Sequence, residues 1–186
     1  MINFFKKHKT KVLLAALFSV STIASSQVYA ETFSWKWNSS VTPTIEMKDT
    51  TGSWSVYFYD AIAKWRNVSG SAINPLLVSN TTGVEVYLSY DSATYLNLFA
   101  MIYPYDSSDK LMYDTTAGTP YYVKIRMQSA EVDPLTTTKR VQMLVHEIGH
   151  SLGLAHNSGD SVMNKDKTFS YTSITQKDKD DLAARY

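Results

Sequence analysis

The most regular apolar spacing in the chain lies between Trp54 and Trp65, where Trp54, Phe58, Ala61, Ile62 and Trp65 recur at the i, i+3, i+4 and i+7 positions of one helical face. Gly52 precedes this stretch and Asn67-Val68-Ser69-Gly70 follows it, so a core helix with breaks at both ends is predicted. Two later runs change period. Val84, Val86, Leu88 and Tyr90 alternate with Glu85, Tyr87 and Ser89, and Tyr121, Val123, Ile125 and Met127 alternate with Tyr122, Lys124, Arg126 and Gln128. Both are predicted to be half-buried strands with the first-named set facing the interior. Val41 to Met47 reads as a further strand that Pro43 pushes toward an edge or a strand start, and Thr94 to Tyr103 as another. Asp106-Ser107-Ser108-Asp109 and the segment from Thr115 to Pro120 read as loops.

A second long helix is predicted to start near Thr136 to Thr138, after Pro134, and to run to Gly153. On its wheel Val141, Leu144, Val145, Ile148 and Leu152 share an arc of roughly 100°, while His146, Glu147 and His150 share the opposite one. One face packs and the other binds. Thr175-Gln176-Lys177-Asp178 matches a capping box ahead of Leu182 and Tyr186, predicting a short terminal helix. No internal repeat or low-complexity linker asks for a second domain.

The first thirty residues are different in kind. Lys6, Lys7, Lys9 and Lys11 precede an apolar run from Val12 to Val20, and Val28-Tyr29-Ala30 stands before Glu31, the layout of a secretory signal peptide. The run is too short to span a bilayer, so a membrane anchor is the weaker reading. The expected division is a leader over 1–30 and one domain over 31–186, exported and free of the membrane once the leader is cut, and acting as a monomer. Without the leader, 14 Lys+Arg face 17 Asp+Glu, a balance that disfavours nucleic acid as a partner. The chain contains no cysteine, which leaves stability to packing and bound metal.

The chemistry is concentrated in eleven residues. From His146 to His156 the chain reads H-E-x-x-H-x-x-G-x-x-H, a pattern that chance would produce about once in a hundred thousand chains of this length. Of four histidines, only His8 lies outside it. Residues four apart on a helix project side by side, so His146 and His150 can face one cation, and zinc suits imidazole donors. Gly153 can end the helix with a positive φ and turn His156 back as a third ligand, which leaves one coordination position open, the mark of a catalytic rather than structural zinc. Glu147 is placed to act as general base toward an attacking water. The alternatives are a structural three-histidine zinc site in a catalytically weak adhesin or toxin module, and an amidase acting on cell-wall peptides. Asp106, Asp109 and Asp114 could hold Ca²⁺, although no EF-hand-like spacing is present.

These residues resemble the metzincin zinc endopeptidases, and among them the matrixin catalytic domain. His150-Ser151-Leu152-Gly153-Leu154-Ala155-His156 is close to the matrixin wording, Ile174-Thr175-Gln176-Lys177-Asp178 resembles its final-helix start, and the likeness covers about 121–186. The resemblance implies an α+β fold: a twisted, mostly parallel sheet with an antiparallel edge strand, two long helices and a short C-terminal helix. It implies a metalloendopeptidase that binds an extended peptide along an edge strand, with Leu96 to Tyr105 the first choice for that strand. It also promotes Met163, otherwise core filler, to the methionine turn that supports the ligands. A specificity pocket beside His156 would be shaped by Asn157 to Asp160 and Asn164 to Tyr171, with Asn157 and Tyr171 as its candidate residues. Asn157 departs from the usual matrixin serine. Lys165 stands where other metzincins carry a zinc-binding tyrosine, the histidines for a second zinc are missing, and no cysteine exists to impose latency.

Overall fold

In a computed structural model of the chain, the described residues are 32–79, 83–91 and 98–186. The expected leader and residues 94–97 of the expected fourth strand lie outside them. The alternating runs form the middle of a five-stranded sheet. β1 is Thr44–Asp49, β2 Asn74–Leu77, β3 Val86–Asp91, β4 Ala100–Tyr105 and β5 Tyr122–Gln128, in the order β2-β1-β3-β5-β4. The first four of that order are parallel, and β4 closes one edge antiparallel to β5. This is the mostly parallel sheet with an antiparallel edge that the resemblance implied. Met47, Val86 and Val123 lie in one register row, Leu88 and Ile125 in the next; all five are buried.

Parallel neighbours cannot be joined by a hairpin and need a crossover. Helix α1, Ser55–Trp65, is the crossover from β1 to β2. Its predicted face is the buried one: Phe58, Ala61, Ile62 and Trp65 all lie in the core, with Trp54 just ahead of the first turn. After β5 a single turn, α2 (Ser129–Val132), leads into α3, Thr137–Ser151, which packs beside α1 on the same face of the sheet. Trp65 joins the two long helices, its indole Nε1 donating to Val145 O at 2.9 Å. The last helix, α4, spans Gln176–Arg185 and begins at the predicted capping box, with both reciprocal bonds between Thr175 and Asp178 present.

Several expectations require correction. The strand placed at Val41 to Met47 starts at Thr44, immediately after Pro43, and sits between β2 and β3 rather than at an edge. Proline therefore acts there as a strand start. β2 went unpredicted because Pro75 interrupts its apolar run; an edge strand tolerates the missing donor. Tyr121 precedes β5 and is 67% exposed, and Tyr90 is also exposed, so the inward alternation is shorter than the sequence pattern. The described part of the fourth strand begins at Ala100 and reaches Tyr105, past the predicted Tyr103.

Trp65 makes a direct test of the α1–α3 contact. Trp65→Phe keeps an aromatic ring but removes the hydrogen bond between the helices, while Val145 O retains its donor within α3, so the unfolding free energy in urea should fall by about 0.5–1.5 kcal/mol. Unchanged stability would count against this contact as a joint between the helices.

Candidate metal centre

Thr136 caps α3, its side chain accepting from Lys139 N, and the helix ends at Ser151 with Leu152 as C-cap. Two side chains from opposite ends of the chain take up carbonyls that the last helical turn leaves unpaired: Trp37 Nε1 donates to Ser151 O and Tyr186 OH to Leu152 O, each at 2.9 Å. The next residue, Gly153, has φ 87°, a conformation that favours glycine. A Cβ there would also lie 2.6 Å from Arg185 Nε. The backbone conformation is what selects glycine, and the turn it makes carries Leu154 and His156 back toward the helix.

The binding side of α3 is as enclosed as its packing side. Every residue from Gln142 to Ser151 is buried, and His146, Glu147 and His150 are only 4%, 7% and 7% exposed. The binding side faces a cleft rather than free solvent. His146 Nε2 and His150 Nε2 each lie 3.2 Å from His156 Nε2. Among the described residues, His146, His150 and His156 are the group that could hold a metal ion.

Their second nitrogens decide what lies between them. His146 Nδ1 is 2.6 Å from Val162 O, and His150 Nδ1 is 2.8 Å from Leu154 O. A carbonyl only accepts, so both Nδ1 atoms carry the proton and both Nε2 atoms present lone pairs. Burial reinforces the neutral form: it pulls His146 down to about 4, and holds His150 well below the usual histidine range with help from the neighbouring imidazole. Two inward lone pairs set beside a third imidazole nitrogen at 3.2 Å are a ready donor set for one cation. Tetrahedral Zn²⁺ with bonds of about 2.0–2.1 Å separates its ligands by roughly 3.3 Å. The donor set and its spacing fit zinc.

Met163 is fully buried, with its Sδ against Gly149 of α3. A Cβ added at Gly149, between the two helical ligands, would stand 2.3 Å from Met163 Sδ and 2.8 Å from Trp65 Cζ2. Gly149 thus gives the thioether room to pass under the helix. The loop carrying Met163 is held from below by Asp178, a buried carboxylate that accepts from Ser161 Oγ, from Val162 N at 3.1 Å and from Thr175 N at 2.6 Å. Asp178 was legible in the sequence only as a helix cap. Its reach to Val162, whose carbonyl orients His146, depends on the tertiary fold.

The cleft is a cavity of about 680 Å³ lined by the three histidines, Glu147, Met143, the Leu98 to Ile102 stretch of β4 and its approach, and Lys165, Asp166, Thr168, Phe169 and Ser170. Asn157 and Tyr171 do not line it. Asn157 is buried and donates to Ser161 Oγ at 2.9 Å, which makes it a brace of the loop, and Tyr171 OH turns to Asp160 Oδ1. The wall comes from Lys165, Asp166 and Thr168 to Ser170, inside the expected segment from Asn164 to Tyr171. The three aspartates considered for calcium are used separately: Asp106 closes its own turn through Ser108 N and Lys110 N, Asp109 accepts from Tyr122 OH, and Asp114 lies at the cleft.

This arrangement sits within a longer likeness. Residues 55–185 match the matrixin family, from α1 through the metal turn to α4. The chain belongs to the matrixin family. It is a matrixin zinc metalloendopeptidase domain carrying the histidine triad and Glu147. No curated protein matches the chain. The family match starts at the first residue of α1, so it leaves out Thr32 to Trp54, whose aromatic residues Phe33, Trp35 and Trp37 are part of this matrixin's core and cleft.

Two measurements test the centre. Stripping zinc with a chelator should lower thermal stability, because metal present at a thousand times its Kd contributes about 4 kcal/mol to the folded state; equal melting with and without chelator would contradict a folded-state zinc site. Gly149→Ala should cost about 1–3 kcal/mol in chemical denaturation by driving Met163 against Trp65, and a fully stable variant would show that the methionine does not pass under the helix.

Proposed function

We propose that this matrixin domain is exported through its N-terminal leader and hydrolyses internal peptide bonds of extended substrates, with Glu147 as the general base. The leader's charged start, apolar middle and small-residue exit support export. β4 supports the extended substrate: it is an edge strand beside the cleft, and a peptide added to it gains main-chain hydrogen bonds without needing a particular sequence. Met163 serves as the methionine turn, holding the ligand cluster from beneath.

The observation that carries the reading is the place of Glu147. It lines the same cavity as all three imidazoles, one residue after the first of them, and burial alone pushes its carboxyl up to about 8. Zinc in the triad supplies a Lewis acid for the substrate carbonyl and a positive charge that favours the ionised form of a neighbouring carboxyl. The Glu147 carboxylate takes the proton from the attacking water and later returns it to the leaving amine, so one group serves both half-steps. His146 and His150 stay neutral and hold their positions through the carbonyls of Val162 and Leu154 that fix their rings. The walls of the cleft keep bulk water from the base.

Because ligation and proton transfer fall to different residues, they separate experimentally. Glu147→Ala should keep stoichiometric zinc by atomic absorption and lose casein cleavage by about 10²–10⁴-fold. A zinc-replete variant with near-parental turnover would remove Glu147 from the mechanism.

A further inference from the structure

Phe33 lies outside every motif in the sequence, yet three independent contacts place its ring at the metal cleft. Its N–H donates to Gly153 O at 3.2 Å, its carbonyl accepts from Arg185 Nη2 at 3.0 Å, and the neighbouring Ser34 N donates to Asp114 O at 2.9 Å. The backbone of this N-terminal strap is therefore tied to the metal turn, to α4 and to the loop before β5 at once. The ring stacks on Trp35 with centroids 5.4 Å apart and 21° between planes, and tilts over the His150 imidazole at 5.6 Å. It remains half-buried, with its open side lining the cavity. A fixed aromatic surface is thereby held against a zinc ligand.

The two ends of the cleft can be distinguished. Phe99, just before β4, packs edge to face on Phe169 at 5.1 Å, and Met143 of α3 lines the same end. Phe33 sits by His150, seven residues further along α3, or about 10 Å along its axis. The far end of β4 leads to the Phe33 side: Pro104 O accepts from Met112 N, and Asp114, two residues later, accepts from Ser34 N. β4 thus runs from the Phe169 end toward the Phe33 end. A peptide added antiparallel to it runs the other way, with its N-terminal half beside Phe33.

We infer that Phe33 forms an apolar subsite for a substrate residue on the N-terminal side of the scissile bond, making this domain selective for peptides with a large apolar or aromatic side chain there. The inference rests on the endopeptidase reading and deepens it by naming a substrate class. A flat ring with no donor or acceptor rewards apolar surface and leaves a polar side chain desolvated without a partner.

Cleavage of a peptide library by the zinc-loaded protein tests the assignment. Large apolar residues should be enriched on the N-terminal side of the cut. Phe33→Ala should reduce that enrichment about tenfold, Phe33→Leu should retain most of it, and the profile on the C-terminal side, bordered by Phe99 and Phe169, should stay as it was. A profile unchanged in Phe33→Ala, or altered only on the C-terminal side, overturns the subsite. Binding supplies a readout that needs no turnover. In the zinc-loaded Glu147→Ala protein, a labelled acetylated peptide carrying Phe or Leu at the selected position should bind about tenfold more tightly than its Ser counterpart, and adding Phe33→Ala should erase the difference. A parental protein that shows this binding preference but cuts nothing keeps the subsite and removes the endopeptidase reading. Cleavage without N-terminal-side preference removes the subsite alone.

Discussion

Three imidazoles are gathered with Nε2 of His146 and of His150 each 3.2 Å from Nε2 of His156, the two helical rings turning bare lone pairs inward, and much of the fold serves to hold them there. Two carbonyls, Val162 O and Leu154 O, fix which nitrogen of His146 and His150 faces inward. Each belongs to a loop that something else must position. Leu154 follows the turn at Gly153, which is packed against Arg185 and Tyr186. Val162 lies on the Asp178 carboxylate, itself fixed by the start of α4. The terminal helix, far from the ligands in sequence, orients both rings through the loops between.

The same constraint explains why α3 is buried all round over its second half. An exposed helix face would leave ligands free to change rotamer, whereas burial by the sheet, α1 and the Met163 loop gives each ring one position. Gly149 and Met163 are the tightest expression of this. The missing side chain at Gly149 lets the polarisable Met163 thioether pack directly on the helix between the two ligands it carries, with Trp65 beside it. Catalytic chemistry at Glu147 depends on the same enclosure, because burial that raises its carboxyl's affinity for a proton also lets a nearby cation act on it with little screening.

The cleft joins segments from the beginning, middle and end of the domain. One end is built by the approach to β4 and the loop after Met163, the other by the strap at Phe33 and by Asp114. Arg185 links the strap to α4, so the helix that steadies the ligand loop also steadies a wall of the substrate site. Geometry at the metal and shape of the cleft are thus coupled through one C-terminal element.

Local order was legible from residues alone wherever the physics is local. The ligand triad lies within eleven residues because a helical turn and a glycine bend suffice to gather it, and the α1 face, the start of α3 and the Thr175–Asp178 box follow from periodicity and capping. The interior sides of β3 and β5 follow from alternation, except at Tyr90 and Tyr121, where the run outlasts the packed part of the sheet. Strand order, the interior place of β1, β2 with its proline, Asp178 beneath Val162, the turning of Asn157 and Tyr171 away from the cleft, and Phe33 at His150 came only with the tertiary structure. Those features are contacts between residues tens to more than a hundred positions apart, and no periodicity or spacing along a chain encodes which distant surfaces will meet. The sequence by itself determined the ligands and the chemistry they can perform; the fold decided what encloses them and what can reach them, because enclosure is a property of packed elements and not of any one segment.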